Sequence, residues 1–490
     1  MSRIRWSVIQ NPWRASAHIA ALVVCLAVAQ QTTRAQFGGG GGFGGGGQGG
    51  GGTIGGGATS GVAVDADGVL RRVTVSDPTG ELSRQRIQEA FQRLDENVAR
   101  RSPLRKVSLT RLERVLKQRL AEGRDADDAM RHLAGITRLQ YVFCYPESGD
   151  IVIAGPAEPW GQAPSGRMQG IETGRPVLEL QDLVVALRAF PPGADNAKPF
   201  IYCSIDPTEE GLSRMHQFLH ELVGPGGTPN FNPNESQFVA SGLRDRLGMQ
   251  VITVGGVSPK THFAQVMVEA DYRMKLIGIG LEQPPVRLTS YVERANPAQV
   301  ARNALQRWYF VPEYQCVRVS EDSLAMKLEG EGVKLVGENE VVDKDGKRSV
   351  AAKGNRASDA FVKAFTKVYP KLAQRAPVYA QLRNCIDLAV AAAFIQNQDY
   401  YGLVDWKPSV FHSEETYPVE TLNPPQQVES AVNSLWKGNT LVTPIGGGVQ
   451  MRPTEAVEPT NLLEDEKGKV EEARAAIDLS KLAPDQWWWD

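Results

Sequence analysis

MQVITVGGVSPKTHFAQVMVEADYRMKLIGIGL, Met249 to Leu281, is the stretch on which the reading of this chain turns. It carries long, nearly unbroken apolar runs. Val251, Ile252, Val254 and Val257 form a β-branched run, the pattern of a strand covered on both faces. Gly255 and Gly256 end it, and Ser258-Pro259-Lys260 is turn chemistry. Phe263 to Val268 reads as a second strand. Ala270 to Ile277 then reads as a helix, with Ala270, Met274 and Ile277 at helical spacing. Gly278 and Gly280 stop it, and Pro284-Pro285 forbids its return.

Working outward, Phe200 to Ile205 predicts a strand. Asp206 is placed to cap a helix, with Pro207 at its first position and Glu209 three past the cap. That helix runs to about Val223 and stops at Gly224-Pro225. A second starts at Asn234 and ends at Gly248. The central unit therefore reads βααββα. The expected fold class is α+β: mixed small sheets flanked by amphipathic helices, in two or three subdomains.

The rest of the chain supplies both element types. Val62 to Val75 predicts a hairpin around Asp65-Ala66-Asp67-Gly68. Leu82 to Ala99, Ser108 to Leu120 and Asp125 to Leu133 predict helices. Tyr141–Tyr145 and Asp150–Ala154 predict a second hairpin, and Glu179 to Phe190 a helix. Val286 to Ser290 reads as a strand, and Asn296-Pro297 opens a helix through Leu305 to Trp308. Strands follow between Pro312 and Val336. A helix capped by Ser358 runs to Tyr369, and one opened by Pro377 runs to Ile395. The division expected is a signal peptide at 1–35, a glycine-rich linker at 36–60, subdomains at 61–193, 198–283 and 286–397, and a Pro/Gly-rich charged tail at 398–490. Trp487-Trp488-Trp489 is exposed unless it docks.

The first residues look like a targeting segment. Arg3, Arg5 and Arg14 precede an apolar run from Ala15 to Ala29, and Thr33-Arg34-Ala35 offers a cleavage site, with Ala29 as the alternative. The run falls short of the roughly 20 residues a spanning helix needs, and no later stretch reads as transmembrane. Removing Arg3, Arg5, Arg14 and Arg34 takes the net charge from −2 to about −6. With no basic run interleaved with aromatics, nucleic acid is rejected as a partner. The tract Phe37 to Gly57 is mostly glycine and reads as a tether or a low-complexity tail. Cys144, Cys203, Cys316 and Cys385 remain. Four cysteines allow three pairings, and their apolar surroundings equally suit buried thiols.

Few residues suggest chemistry. His216 and His220 are four apart on one predicted helix, a spacing that can hold a metal, but Gln217 stands where a zinc-protease helix needs glutamate. Ser434-Leu435-Trp436-Lys437 has the spacing of penicillin-binding serine enzymes but sits at a helix end, not a start. Asp65–Gly68 and Asp343–Gly346 begin like calcium loops and lack the later acids. Gly278-x-Gly280 ends a helix instead of opening one, so no dinucleotide is expected. Glu269, Asp271, Tyr272, Arg273 and Lys275 form a charged cluster beside the core. They are the candidate ligand contacts, or else a solvated helix face with local ion pairs. No cofactor is expected.

Several runs carry a resemblance. They are Tyr141-Val142-Phe143 with Asp150 to Glu158, Cys203 to Leu212, Val268 to Leu281, Arg307 to Pro312, and Val317 to Asp322. Together they resemble an uncharacterised family of exported planctomycete proteins, a domain of unknown function. The likeness spans most of Gly61 to about Ile395. It implies export and a bacterial envelope setting, and it transfers no catalytic residue. The sequence thus leads us to expect a secreted or envelope-associated, non-catalytic binding or assembly protein with an envelope or extracellular protein partner. The alternative is an exported hydrolase whose site is assembled from distant residues.

Overall fold

The computed structural model describes residues 59–193, 198–223, 235–296, 304–342, 348–350, 354–433, 435–436, 440–441 and 445–490. The leader, the glycine tract, the second Asp-x-Asp-Gly and the ends of Ser434-x-x-Lys437 lie outside these residues. The class is α+β, with mixed sheets flanked by helices. In spatial order the nine-stranded sheet runs Thr59–Val64, Val69–Val75, Gln427–Glu429, Met249–Gly255, Ile201–Pro207, Ile445–Met451, Ala304–Pro312, Val333–Val342 and Arg348–Val350. Most neighbours are antiparallel. The 427–429 strand runs parallel to 69–75, and 445–451 runs parallel to 304–312. The seven-stranded sheet is built on the expected hairpin Tyr141–Tyr145 and Asp150–Ala157. Strands from beyond residue 398 complete both sheets.

The central stretch departs from expectation at one point. The run Phe263 to Val268 is not a strand. It is the first half of a single helix, His262–Gly278. Thr261 caps it, its hydroxyl accepting from the Ala264 N–H at 3.3 Å. The module's order is therefore βααβα. The helix is buried on nearly every side, from Phe263 to Gly278. A helix without a polar face lacks the 3.6-residue apolar rhythm, and its β-branched Val266 and Val268 then mimic a strand. The 249–255 strand is half-buried, not covered on both faces: Ile252 is inside and Val251 outside.

Other boundaries shift for local reasons. Asp206 and Pro207 end the 201–207 strand and do not start a helix. The helix Glu209–Val223 begins after Thr208, whose hydroxyl accepts from the Gly211 N–H at 3.0 Å. Thr208→Ala is expected to cost about 1 kcal/mol in urea denaturation. Asp206 as the cap would instead make Thr208→Ala neutral. Leu305 to Trp308 belong to the 304–312 strand, not a helix, and 286–290 form no strand. Asn355, not Ser358, caps the helix Arg356–Arg375, and the buried Ser358 hydroxyl accepts from Trp308 Nε1 at 2.9 Å. The terminal tryptophans dock. Trp488–Trp489 pairs with the strand Ser102–Ser108, and the fully buried Arg105 donates to both carboxylate oxygens of Asp490.

The helix Pro377–Asn397 is long and apolar enough to cross a membrane, but its side chains from Val378 to Ile395 are buried inside this fold. It packs on His262–Gly278, on Arg356–Arg375 and on Leu180–Ala189. The two faces of the central helix thus meet different neighbours. One faces the 201–207 and 445–451 strands, and the other faces helices 180–189 and 377–397. The four cysteines are free and buried.

Candidate functional site: a buried charge network around the central helix

The central helix repeats charge at every second position from Glu269 to Lys275. At about 100° per residue, Glu269 and Arg273 share one side and Asp271 and Lys275 lie nearly opposite. Glu269, Asp271, Arg273 and Lys275 are buried and Tyr272 is half-buried. A solvated face is therefore corrected. Tertiary neighbours cover it, and each charge is answered inside the protein.

Two separate networks result. On the sheet side, Lys275 Nζ donates to Asp271 Oδ2 at 2.7 Å and to the Gly447 carbonyl at 3.0 Å. Burial pushes the Asp271 carboxyl up to about 6, with Lys275 opposing and Asp206 adding to the rise. Asp271 Oδ1 is buried without a hydrogen-bond partner among the described residues. On the helical side, Arg273 donates to Glu282 at 2.7 and 2.9 Å and to Glu269 at 3.3 Å. Arg167 donates to both oxygens of Glu269 and to Gln381 Oε1.

Next to the helical network lies a cluster that the sequence reading missed: Glu179, Asp182 and His262. Glu179 precedes the helix Leu180–Ala189, and Asp182 sits one turn in, so both carboxylates project from the helix start. His262 is the first residue of the central helix. Its Nδ1 lies 2.9 and 3.0 Å from the two oxygens of Asp182. Its Nε2 lies 3.8 Å from Glu179 Oε1 and 3.5 Å from Gln381 Nε2. One ligand atom from each of the three residues falls within 4.8 Å of the others. Asp182 is almost fully buried, while the Glu179 and His262 side chains keep 13% and 21% of their exposure.

Opposing effects set the protonation of this cluster. Burial pulls the His262 imidazole down, but the Asp182 and Glu179 charges and the Asp182 hydrogen bond outweigh it and raise His262 to about 9. Burial pushes the Asp182 carboxyl up, with His262 opposing. Glu179 is held below the usual carboxylate range: burial opposes this, while the His262 charge and the Gln181 amide favour it. At neutral pH the proton sits on His262. A group raised on folding stabilises fully below its unfolded value, here 6.5, and that stabilisation is lost as pH rises through about 9. His262→Gln should therefore lower stability at pH 6 by on the order of 3 kcal/mol and change it little at pH 10. Urea midpoints at the two pH values, in chelating buffer, check this. Equal losses at both would sink the assignment.

His216 and His220 lie on the helix Glu209–Val223, the first half-buried and the second exposed. Neither belongs to the grouping of three possible metal ligands found among the described residues. The four thiols are inert by environment. Burial pushes Cys144 and Cys316 up to about 12 and raises Cys203 and Cys385 well above the ordinary thiol value. A cavity of about 370 Å³ opens elsewhere, lined by Asn97, Arg100 and the segment Asp485 to Asp490 with its three tryptophans.

The fold and site define an α+β protein with a buried charge network at its centre. Residues 203–291 match the family described as Protein of unknown function (DUF1598). The match runs from the 201–207 strand through the central helix. It contains His262 and the Glu269–Lys275 charges but not Glu179, Asp182 or Gln381. No curated protein and no solved structure gives a match.

Proposed function

We propose that this chain is an exported, non-catalytic binding or assembly module of the cell envelope or extracellular space, of the planctomycete kind that its sequence resembles. The observation that carries the reading is the aromatic cavity at the docked C-terminal strand. Its three indoles, with Asn97, Arg100, Asp485 and Gln486, combine apolar area with directional polar groups. An open pocket that mixes aromatic and polar groups in this way can take up an anchoring side chain of a protein partner. The charges of the central helix also favour binding over catalysis, because each is consumed by an internal ion pair.

Capture from envelope fractions tests the proposal, using the full chain, a chain lacking residues 36–60, and Trp489→Ala. A reproducibly retained protein that Trp489→Ala loses is the expected result. Retention unchanged by Trp489→Ala, or no retention, would remove the support. A second reading, an exported hydrolase assembled from distant residues, draws on the Asp182–His262 pair, which holds a protonated imidazole in place as a general acid requires. It requires turnover of an ester or amide substrate that His262→Gln abolishes.

A further inference from the structure

We propose that Glu179, Asp182 and His262 form a binding site for a divalent transition-metal ion of the zinc class. The inference is independent of the binding-module reading, since it concerns a different part of the molecule. Its first support is the donor set. The direct ligands are the Glu179 carboxylate and the His262 imidazole Nε2, with Asp182 holding the ring from its other nitrogen; this mixed oxygen and nitrogen set suits zinc and its neighbours, whereas an all-oxygen set would favour magnesium or calcium.

Geometry is the second support. Tetrahedral zinc with bonds of roughly 2.0–2.2 Å separates adjacent ligand atoms by about 3.4 Å. His262 Nε2 and Glu179 Oε1 already stand 3.8 Å apart. A small side-chain adjustment brings both to one ion. Asp182 grips Nδ1 through both oxygens, which fixes the ring and turns Nε2 toward Glu179. A metal-bound histidine is commonly held in this way by a carboxylate on its other nitrogen.

The charge balance points the same way. Two carboxylates face a single imidazole, so the cluster is rich in acids. Arg167, a cation within electrostatic reach of His262 and Glu179, is turned to Glu269 and Gln381. A dication at Nε2 would answer both acids. The partial exposure of Glu179 and His262 gives it a route in.

The full chain, stripped with EDTA and dialysed, provides the test. Calorimetry with Zn²⁺ should show one stoichiometric site, and Co²⁺ should give the visible absorption of a low-coordinate N/O site. His262→Gln and Glu179→Gln should each abolish the stoichiometric site, and Asp182→Asn should weaken binding by about 10–100-fold, with far-UV circular dichroism confirming the fold. If His262→Gln fails to fold, Glu179→Gln alone decides. The His216→Ala/His220→Ala variant should bind as the wild type does. Folded wild-type protein that binds no stoichiometric Zn²⁺ overturns the proposal. So does wild-type affinity in Glu179→Gln, or loss of the site in the His216/His220 variant instead.

Discussion

Lys275→Met should destabilise the protein by about 3–5 kcal/mol, the usual cost of removing one partner from a buried ion pair. Lys275 and Asp271 are shut away from water, and the ammonium also donates to the Gly447 carbonyl. Without it, Asp271 faces Asp206 with nothing to offset the charge, and Asp271 Oδ1 already lacks a partner. The cost should depend on pH in a definite direction. Asp271 is raised on folding from 3.8 to about 6, so its stabilising contribution is complete below 3.8 and disappears as pH rises through about 6. Losing Lys275 raises the folded value further and extends the fall in stability to higher pH. Lys275→Met should therefore be mildest in acid and most severe above neutrality. The double variant Asp271→Asn/Lys275→Met should recover most of the loss, because a neutral pair leaves no buried charge unanswered. Urea denaturation of the wild type and the two variants at pH 5 and pH 8 checks this. A double variant no better than Lys275→Met would show that the lysine acts by packing, not by charge.

Gly447→Ala should prevent stable folding, with a cost of at least about 4 kcal/mol, in the exceptional range for a single substitution. Gly447 lies directly opposite Trp308 where the 445–451 and 304–312 strands run parallel. Its φ is +118°, and a Cβ there would sit 1.7 Å from the Trp308 carbonyl oxygen. Backbone cannot yield as a flexible side chain would. Relief would require parting the strands, which also removes the carbonyl that receives Lys275. Gly468→Ala is the control. Gly468 has φ +61° with no atom near its absent Cβ, so only local backbone strain remains, about 1 kcal/mol. Soluble yield and thermal unfolding distinguish the two. A Gly447→Ala protein that melts like Gly468→Ala would mean that the strands are not held at this register.

The two predictions meet at one place, the contact between the central helix and the 445–451 strand. That contact was invisible to a reading by segments. Asp271 and Lys275 were legible as a charged pair four apart, but whether water or protein covers them depends on a strand roughly 170 residues away in the chain. Glu179, Asp182 and His262 illustrate the same limit. The i,i+3 acids at a helix start and the histidine after a capping threonine each look ordinary alone. Their meeting requires two helices to cross, and spacing carries no trace of it.

What the amino-acid order decided by itself was local. Turn chemistry placed the 141–145 and 150–157 hairpin, Pro377 opened its helix, and Ser108 capped the helix Leu109–Ala121. These follow from backbone preferences and side-chain hydrogen bonds within a few residues. The tertiary structure alone decided three things: that Phe263 to Val268 coil instead of extending, that the helix charges are interior, and that the terminal tryptophans pair with the 102–108 strand. In each case the deciding free energy comes from burial against distant chain, and burial is a property of the assembled neighbours, not of the segment that becomes buried.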